Sequence, residues 1–254
     1  MISILAKVLE KFTIEIIPNL PMFVRTPLYL NILKLRKVKD RLRFTATNKN
    51  PSFEERLDYA LDSRANLNNS GEKLHDFNSN VVLEEIKEGP VKIYKFIPPN
   101  SIKENYGIYF HGGGYFAGSI TSHKNLISQI SNDSNLIIYF FEYRLSPEYN
   151  FPSAHEDAKL AVDFINTLHP DHQSIWIGES AGGGLATGLV VDKEYLEKPD
   201  NLILLSPWLD LSDGFEDKKF FKNSDVTIII EGMFEVGGFY AGDYGAKNPI
   251  LSPV

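Results

Sequence analysis

Gly178-Glu179-Ser180-Ala181-Gly182 joins a short apolar run at 174–177 to a helix-like segment at 180–195. A chain that turns directly from a strand into a helix needs small residues, and glycine two positions before and after Ser180 lets the backbone bend without a clash. The turn projects the Ser180 hydroxyl beyond the strand, where the helix N-terminus favours developing negative charge. Ser180 is therefore a candidate nucleophile. The alternative is a tight turn with an idle serine, and the five-residue pattern by itself leaves both open.

A second glycine-rich motif, His111-Gly112-Gly113-Gly114, follows a predicted strand at 106–110. Glycines leave backbone N–H groups unobstructed, so that these groups can point at an oxyanion. A flexible loop or a phosphate-binding loop are the alternatives, and the latter is disfavoured because no Lys-Ser or Lys-Thr pair follows the glycines. The two motifs together, in this order and strand context, indicate a chain of hydrolase ancestry.

Strands alternate with helices over the second half of the sequence. Strands are predicted at 91–97, 106–110, 135–141, 174–177 and 201–205, and helices at 153–168, 180–195 and 227–241. This alternation predicts an α/β fold with a mostly parallel sheet covered on both faces. Residues 1–75, including a helix at 52–65, contain no convincing strand and are assigned to a helical cap region, with residues 76–254 as the core. Ser153 and Glu156 have the spacing of a capping box.

The composition narrows the class of protein. The chain has 254 residues, a net charge of −7 and no cysteine. Disulfides, thiolate metal sites and a cysteine nucleophile are therefore excluded, and the acidic balance argues against a nucleic-acid partner. No apolar run reaches the ~18 residues of a membrane span, so a cytoplasmic location is expected. His169 and His172 form an H-x-x-H pair without further ligands, and neither a metal nor a cofactor is predicted.

The motifs resemble the hormone-sensitive-lipase-like group of α/β-hydrolases, the bacterial family IV esterases. The resemblance rests on the segments 111–114, 142–148, 151–152, 178–183 and 206–211 and on the Asn-Pro and Ser-Pro pairs at 248–253. It implies acyl transfer from a small, short-chain ester to Ser180, with oxyanion N–H groups from Gly113, Gly114 and Ala181. Residues 1–50 would form the cap that shapes the acyl pocket. Tyr115 and Phe116 would line that pocket or, as the alternative, pack under the cap.

The chain departs from this family in one respect. In the family the triad acid and histidine follow the last two strands, whereas all six histidines here precede Ser180. We therefore expect a C-terminally truncated chain that lacks those strands and is nearly inert alone. The strand at 201–205 would be left as an exposed edge that favours self-association. A non-catalytic homologue that binds a small ligand and one half of a two-chain enzyme are the alternatives.

The other candidate partners of Ser180 are expected to have structural roles. His75, His123 and His155 fall at predicted surface or helical positions. His111 is expected to support the glycine loop, and Asp210 to be structural, as the resemblance implies.

Overall fold

The computed structural model describes residues 51–74, 76–212 and 230–254. The chain divides into two compact units, one of Met1–Pro51 with Gly214–Phe234 and one of Ser52–Asp213 with Glu235–Val254. The cap predicted for residues 1–50 and the start of the helix predicted at 227–241 lie outside the described residues. The cap boundary at residue 75 stays a prediction.

The described residues form six strands and five α-helices. In chain order these are α1 (Phe53–Leu74), β1 (Val82–Ile86), β2 (Lys92–Ile97), β3 (Asn105–Phe110), α2 (Ile120–Ser134), β4 (Ile137–Glu142), α3 (Ser153–Thr167), β5 (Gln173–Glu179), α4 (Ala181–Val191), β6 (Asn201–Leu205) and α5 (Ile230–Ala241). A single 3₁₀ turn, Gly242–Tyr244, follows α5.

The strands make one sheet in the order β1-β2-β4-β3-β5-β6. β1 pairs antiparallel with β2 and β2 antiparallel with β4, whereas β4, β3, β5 and β6 run parallel. Parallel neighbours end at the same edge of a sheet, and ligands in open α/β sheets bind beyond those carboxyl ends. In β3 and β5, Phe110 pairs with Gly178, so the loop after β3 and the turn after β5 start side by side.

Both faces of the central strands are covered. Tyr109 of β3 packs in one cluster with Ile127 of α2, whereas the next residue, Phe110, points to the other face and contacts Trp176. All four side chains are at most 2% exposed. Because neighbouring strand residues face opposite sides, burial of both sets shows that helices shield the sheet above and below. The α/β class predicted from the sequence is confirmed.

All five predicted strands are present, but two elements were not predicted. β1 lies at the edge of the sheet, and its side chains are exposed or only partly buried, with a weak alternation between the two. α2 is capped by an unusual serine pair, in which Ser119 and Ser122 each bond the backbone N–H of the other. Neither segment carries the apolar periodicity that reveals a buried helix or strand from sequence.

The predicted capping box of α3 is wrong. Pro152 occupies the N-cap position, and no side chain caps the helix there. Glu156 instead accepts a hydrogen bond from Arg144 at 2.9 Å, and Arg144 also binds the buried Asp157. A guanidinium that offers several charge-assisted hydrogen bonds outcompetes a backbone N–H for the Glu156 carboxylate.

β6 is the last strand of the sheet at its parallel side. Among the described residues only β5 pairs with it, and Ile203 and Leu205 are 45% and 39% exposed. None of the described helices combines the length and the apolar run that crossing a bilayer requires.

Candidate active site

Ser180 lies between the last residue of β5 and the first of α4 with φ 50° and ψ −118°. A non-glycine residue at positive φ costs on the order of 1–3 kcal/mol and persists only where its surroundings hold it. The Ser180 N–H donates to the Leu205 carbonyl at 3.0 Å, and the Ser180 carbonyl accepts from the N–H of Trp208 at 2.8 Å and of Gly183 at 3.0 Å. Hydrogen bonds from the end of β6 and from the loop that follows β6 therefore hold the Ser180 backbone in place.

The glycines around Ser180 are required by close approach of the backbone. A Cβ on Gly182 would collide with the carbonyl oxygen of Phe110 at the end of β3. A Cβ on Gly178 would lie 2.7 Å from the Gly183 Cα. The first turn of α4 thus packs directly against the strands, which supports the sequence argument for glycine at both positions.

The glycine loop after β3 turns back on itself. Gly113 and Gly114 have φ 116° and 63°, values that favour glycine. The Gly113 carbonyl accepts hydrogen bonds from the N–H groups of Phe116 at 3.1 Å and Ala117 at 2.9 Å. In a trans peptide the N–H points opposite to the C=O, so the Gly114 N–H faces away from this turn. The N–H groups of Gly113 and Gly114 donate to no acceptor within the described ranges.

The glycine loop and the serine turn lie against each other. A Cβ on Gly112 would stand 3.2 Å from the carbonyl oxygen of Glu179, the residue before Ser180. The structure therefore brings the two motifs to one edge of the sheet. Ala181 is the first residue of α4, so its N–H lies at this same edge of the sheet. The N-terminus of a helix favours negative charge.

His111 supports the glycine loop from the core. Its Nδ1 lies 2.8 Å from the Gly112 carbonyl oxygen, and since that oxygen can only accept, Nδ1 carries the proton. The ring stacks on Tyr143 with centroids 4.0 Å apart, and the Tyr143 hydroxyl donates to the His111 carbonyl. Burial and the neighbouring His123 lower the pKa of His111 to about 3. A histidine that stays neutral and bonds its own loop fits the expected supporting role.

Glu179 ends in a small polar cluster beneath the turn. Its Oε2 accepts a 2.6 Å hydrogen bond from the Tyr109 hydroxyl and lies 3.6 Å from His123 Nε2. His123 and the Tyr109 hydroxyl hold the pKa of Glu179 below its ordinary value. The cluster joins β3, α2 and β5 next to Ser180. No sequence motif predicts this cluster, because its three residues come from segments that are far apart in the chain.

Tyr115 and Phe116 occupy different surroundings. The Tyr115 ring is fully buried and lies parallel to the Tyr240 ring with centroids 4.0 Å apart. Phe116 is partly exposed and contacts Tyr59 of α1. The Tyr115 side chain is enclosed by its neighbours, whereas part of the Phe116 side chain stays exposed. A pocket-lining role stays a prediction for both residues.

His75 lies outside the described residues, and the other three histidines contact groups away from Ser180. His155 is buried in α3 beside the Tyr240 hydroxyl, and burial lowers its pKa to about 3. His169 bonds the Tyr139 hydroxyl through Nε2 and His172 through Nδ1. Ser180 Oγ has no hydrogen-bonding partner within the described part of the chain, and no group of three or more metal-ligating side chains occurs there.

Asp210 caps its own loop. Its Oδ1 accepts from the Ser212 N–H at 2.8 Å, and its carbonyl accepts from Trp208 Nε1 at 2.7 Å. Because Trp208 also bonds the Ser180 carbonyl, Asp210 shapes the backbone that holds the serine. This contact agrees with the structural role expected for it.

The fold and the two adjoining motifs define an α/β-hydrolase. The chain belongs to the family described as "alpha/beta hydrolase fold", whose model matches residues 107–254. It superimposes with a TM-score of 0.72 on a crystal structure of a hormone-sensitive lipase from a metagenome library, at 28% identity over 89% of this chain and 71% of that one. An esterase/lipase from an uncultured bacterium gives 0.68 at 26% identity, over 87% and 72% of the chains. The resemblance to hormone-sensitive-lipase-like esterases is confirmed.

Curated relatives bear hydrolase names. The chain is 33% identical over 134 residues to an ethyl acetate hydrolase of Pseudomonas putida, covering 48% of this chain and 42% of that protein. It is 28% identical over 152 residues to an esterase of Acinetobacter venetianus, covering 58% and 50%. It is 30% identical over 173 residues to arylacetamide deacetylase-like 3 of Mus musculus, covering 61% and 42%. The matched region spans half or less of each relative's length.

Proposed function

We propose that this chain carries the nucleophile and oxyanion donors of a carboxylic-ester hydrolase. One observation supports this most: Ser180, held at positive φ, adjoins a glycine loop whose N–H groups donate to no described residue. Such a pairing suits acyl transfer, in which an alkoxide-like oxygen develops on the substrate. Names such as ethyl acetate hydrolase and acetyl-hydrolase among the relatives favour small, short-chain esters.

The proposed reaction has two steps. Ser180 Oγ attacks the ester carbonyl carbon while a base takes its proton, and the N–H groups of Gly113, Gly114 and Ala181 bind the oxyanion. Collapse breaks the carbon–oxygen bond, the alcohol leaves with a proton, and an acyl-serine remains. Water then attacks the acyl carbon, which releases the acid and restores the serine. Phe116 would border the acyl group, while Tyr115 would support the loop from below.

The base of this reaction is not among the described residues. No described side chain bonds Ser180 Oγ, and no histidine follows Ser180 in the 254 residues. We therefore propose that the 254-residue chain reacts slowly alone and is assisted by an external imidazole. A histidine supplied by another polypeptide would act in the same way.

The test is labelling of Ser180 by a fluorophosphonate with and without imidazole. We expect slow labelling alone and at least about tenfold faster labelling with imidazole, located at Ser180 by peptide mass spectrometry. Ser180→Ala, treated identically, corrects for other nucleophiles. Equal labelling of Ser180→Ala, or none with imidazole, would contradict the proposal and favour a non-catalytic binding protein. Fast labelling without imidazole would overturn only the slow-reaction part.

Two further features stay proposals. The edge of β6 that pairs with no strand among the described residues is proposed to mediate self-association. The cytoplasmic location expected from the composition stays a prediction, which cell fractionation with a cytoplasmic marker tests.

A further inference from the structure

Arg64 of α1 reaches across to two loops at the candidate site. Its Nε donates to the Phe116 carbonyl at 2.8 Å and its Nη2 to the Ser146 carbonyl at 3.0 Å. Its Nη1 and Nη2 each donate to one oxygen of Glu148 at 2.7 Å. The Arg64 side chain is 21% exposed. Arg64 therefore joins a helix, the glycine loop and the loop after β4 through one planar group, a geometry that lysine cannot reproduce.

The hydrogen bond from Arg64 to Phe116, the first arm of this contact, is linked through one further hydrogen bond to the peptide that carries the proposed oxyanion donor, the Gly114 N–H. Arg64 holds the carbonyl of Phe116, and the N–H of Phe116 donates to the Gly113 carbonyl. That carbonyl belongs to the peptide whose N–H is that of Gly114. Its direction sets the direction of the Gly114 N–H, because the two groups are antiparallel in a trans peptide. A shift of Phe116 would thus rotate the oxyanion donor.

The second arm holds the same loop from the other side. Arg64 binds the Ser146 carbonyl, and the Ser146 N–H donates to the Tyr115 carbonyl at 2.8 Å. Tyr115 has φ 65°, a left-handed conformation that is unfavourable for a residue with a side chain. The two arms therefore constrain consecutive residues of a loop that would otherwise relax.

We propose that Arg64 is a positioning residue that holds the glycine loop in the orientation needed for oxyanion binding. This inference rests on the proposed function of Ser180 and the loop, and it adds that α1 takes part in the site. α1 also packs close to the start of α2: Asn68 accepts from the Ser119 hydroxyl at 2.7 Å, and a side chain on Gly71 would collide with the Ser122 carbonyl. The placement of α1 is thereby coupled to the direction of the Gly114 N–H.

The test compares Arg64→Met and Arg64→Lys with Arg56→Met in the full chain. Arg56 is the matched control because it lies on the same helix and contacts the Ser52 carbonyl and the Phe239 ring, not the glycine loop. Glu148→Gln tests the carboxylate partner and serves if Arg64→Met fails to fold. Two measurements are made: amide hydrogen exchange over residues 111–118, and the rate of imidazole-assisted Ser180 labelling.

We expect exchange of the Phe116 and Ala117 amides to rise about tenfold or more in Arg64→Met while exchange in β3 is unchanged. Labelling is expected to slow roughly tenfold to a hundredfold, because a small misplacement of a donor is costly. In both loop exchange and labelling rate, Arg64→Lys should resemble Arg64→Met, and Arg56→Met should match the wild type. Glu148→Gln should give values between those of Arg64→Met and the wild type.

The outcomes separate this inference from the proposed function. The role of Arg64 is overturned if amide exchange in the glycine loop is unchanged in Arg64→Met. It is also overturned if that exchange rises while Ser180 is labelled at the wild-type rate. A purely structural arginine would lower global stability and raise exchange in β3 as well, which also overturns it. If the wild type is not labelled at all, the proposed function fails, and raised loop exchange alone still supports Arg64 as the residue that orients the loop.

Discussion

At the scale of single residues, Ser180 and its glycines differ in how they are maintained. Ser180 is kept at positive φ by hydrogen bonds from neighbouring elements, whereas Gly182 is required because the end of β3 leaves no room for a side chain. The two requirements reinforce each other. A side chain at Gly182 would push α4 off β3 and thereby loosen the turn that presents Ser180.

Gly182→Ala is expected to lower the free energy of unfolding by about 1–3 kcal/mol, because its Cβ would collide with the Phe110 carbonyl. It should also slow imidazole-assisted labelling of Ser180. Gly238→Ala is the matched control: it lies inside α5, and its Cβ would meet nothing within 4 Å. That change is expected to stabilise the protein by roughly 0.5–1 kcal/mol. Urea unfolding measures both, and equal effects would contradict the steric argument.

The sequence predicted those residues of the site that share a local motif. Gly178, Ser180 and Gly182 lie within five positions, so their spacing alone indicates a strand-to-helix turn. Arg64 could not be found, because it meets Phe116 and Glu148 through contacts 52 and 84 positions apart in the chain. Contacts of this kind depend on the completed packing of α1, which no short pattern encodes.

At the scale of secondary structure, apolar runs predicted strands well and local polar patterns predicted caps poorly. All five predicted strands belong to the sheet. Their apolar composition predicted them because strands covered on both faces are rich in apolar residues. The capping box of α3 failed because Arg144 draws both Glu156 and Asp157 toward the loop after β4. A capping box is a preference of about 1 kcal/mol and yields to a tertiary contact that offers several charged hydrogen bonds.

The β6 edge gives a prediction at this scale. Because Ile203 is 45% exposed on a strand with one described partner, we expect concentration-dependent association of the wild type, and Ile203→Lys should weaken it. Sedimentation velocity over a range of concentrations measures the change. Leu196→Lys is the control, since Leu196 is 84% exposed in a loop and offers no strand edge. A wild type that stays monomeric, or equal effects of both lysines, would refute the edge as the contact.

At the scale of the whole molecule, the class of the fold was predictable from the sequence, whereas the order and direction of its strands were not. Alternating strands and helices indicated the α/β class, and two motifs in the right order indicated the family. The reversal at β2, which lies between β1 and β4 and pairs antiparallel with both, was not predicted. Strand order depends on crossovers between distant segments and is not visible in the local period of apolar residues.

Acid should destabilise the whole molecule through its buried histidines. Burial lowers the pKa of His111 and His155 to about 3, whereas an unfolded histidine titrates near 6.5. The unfolded chain therefore binds more protons between these values. The stability contribution is complete above about pH 6.5 and is lost as pH falls toward 3, by about 1.4 kcal/mol per pH unit for each histidine.

Urea unfolding at several pH values between 7 and 4 measures this slope. His155→Phe keeps a ring against Phe151 and Tyr115, although it loses the hydrogen bond to the Tyr240 hydroxyl, and should remove about one histidine's share of the slope. An unchanged slope in His155→Phe would show that His155 does not contribute.

The sheet order also has a consequence for the sequence of events during synthesis. β3 is central, yet both of its partners, β4 and β5, follow it in the chain. A nascent chain that has emerged through α3 therefore carries the glycine loop without the strand that stands beside it. Only when β5 docks parallel to β3, closing a long connection, do the loop and the serine turn meet. Until then β3 has one edge without a partner strand, and we expect such an unpaired edge to make the partly synthesised chain prone to aggregation.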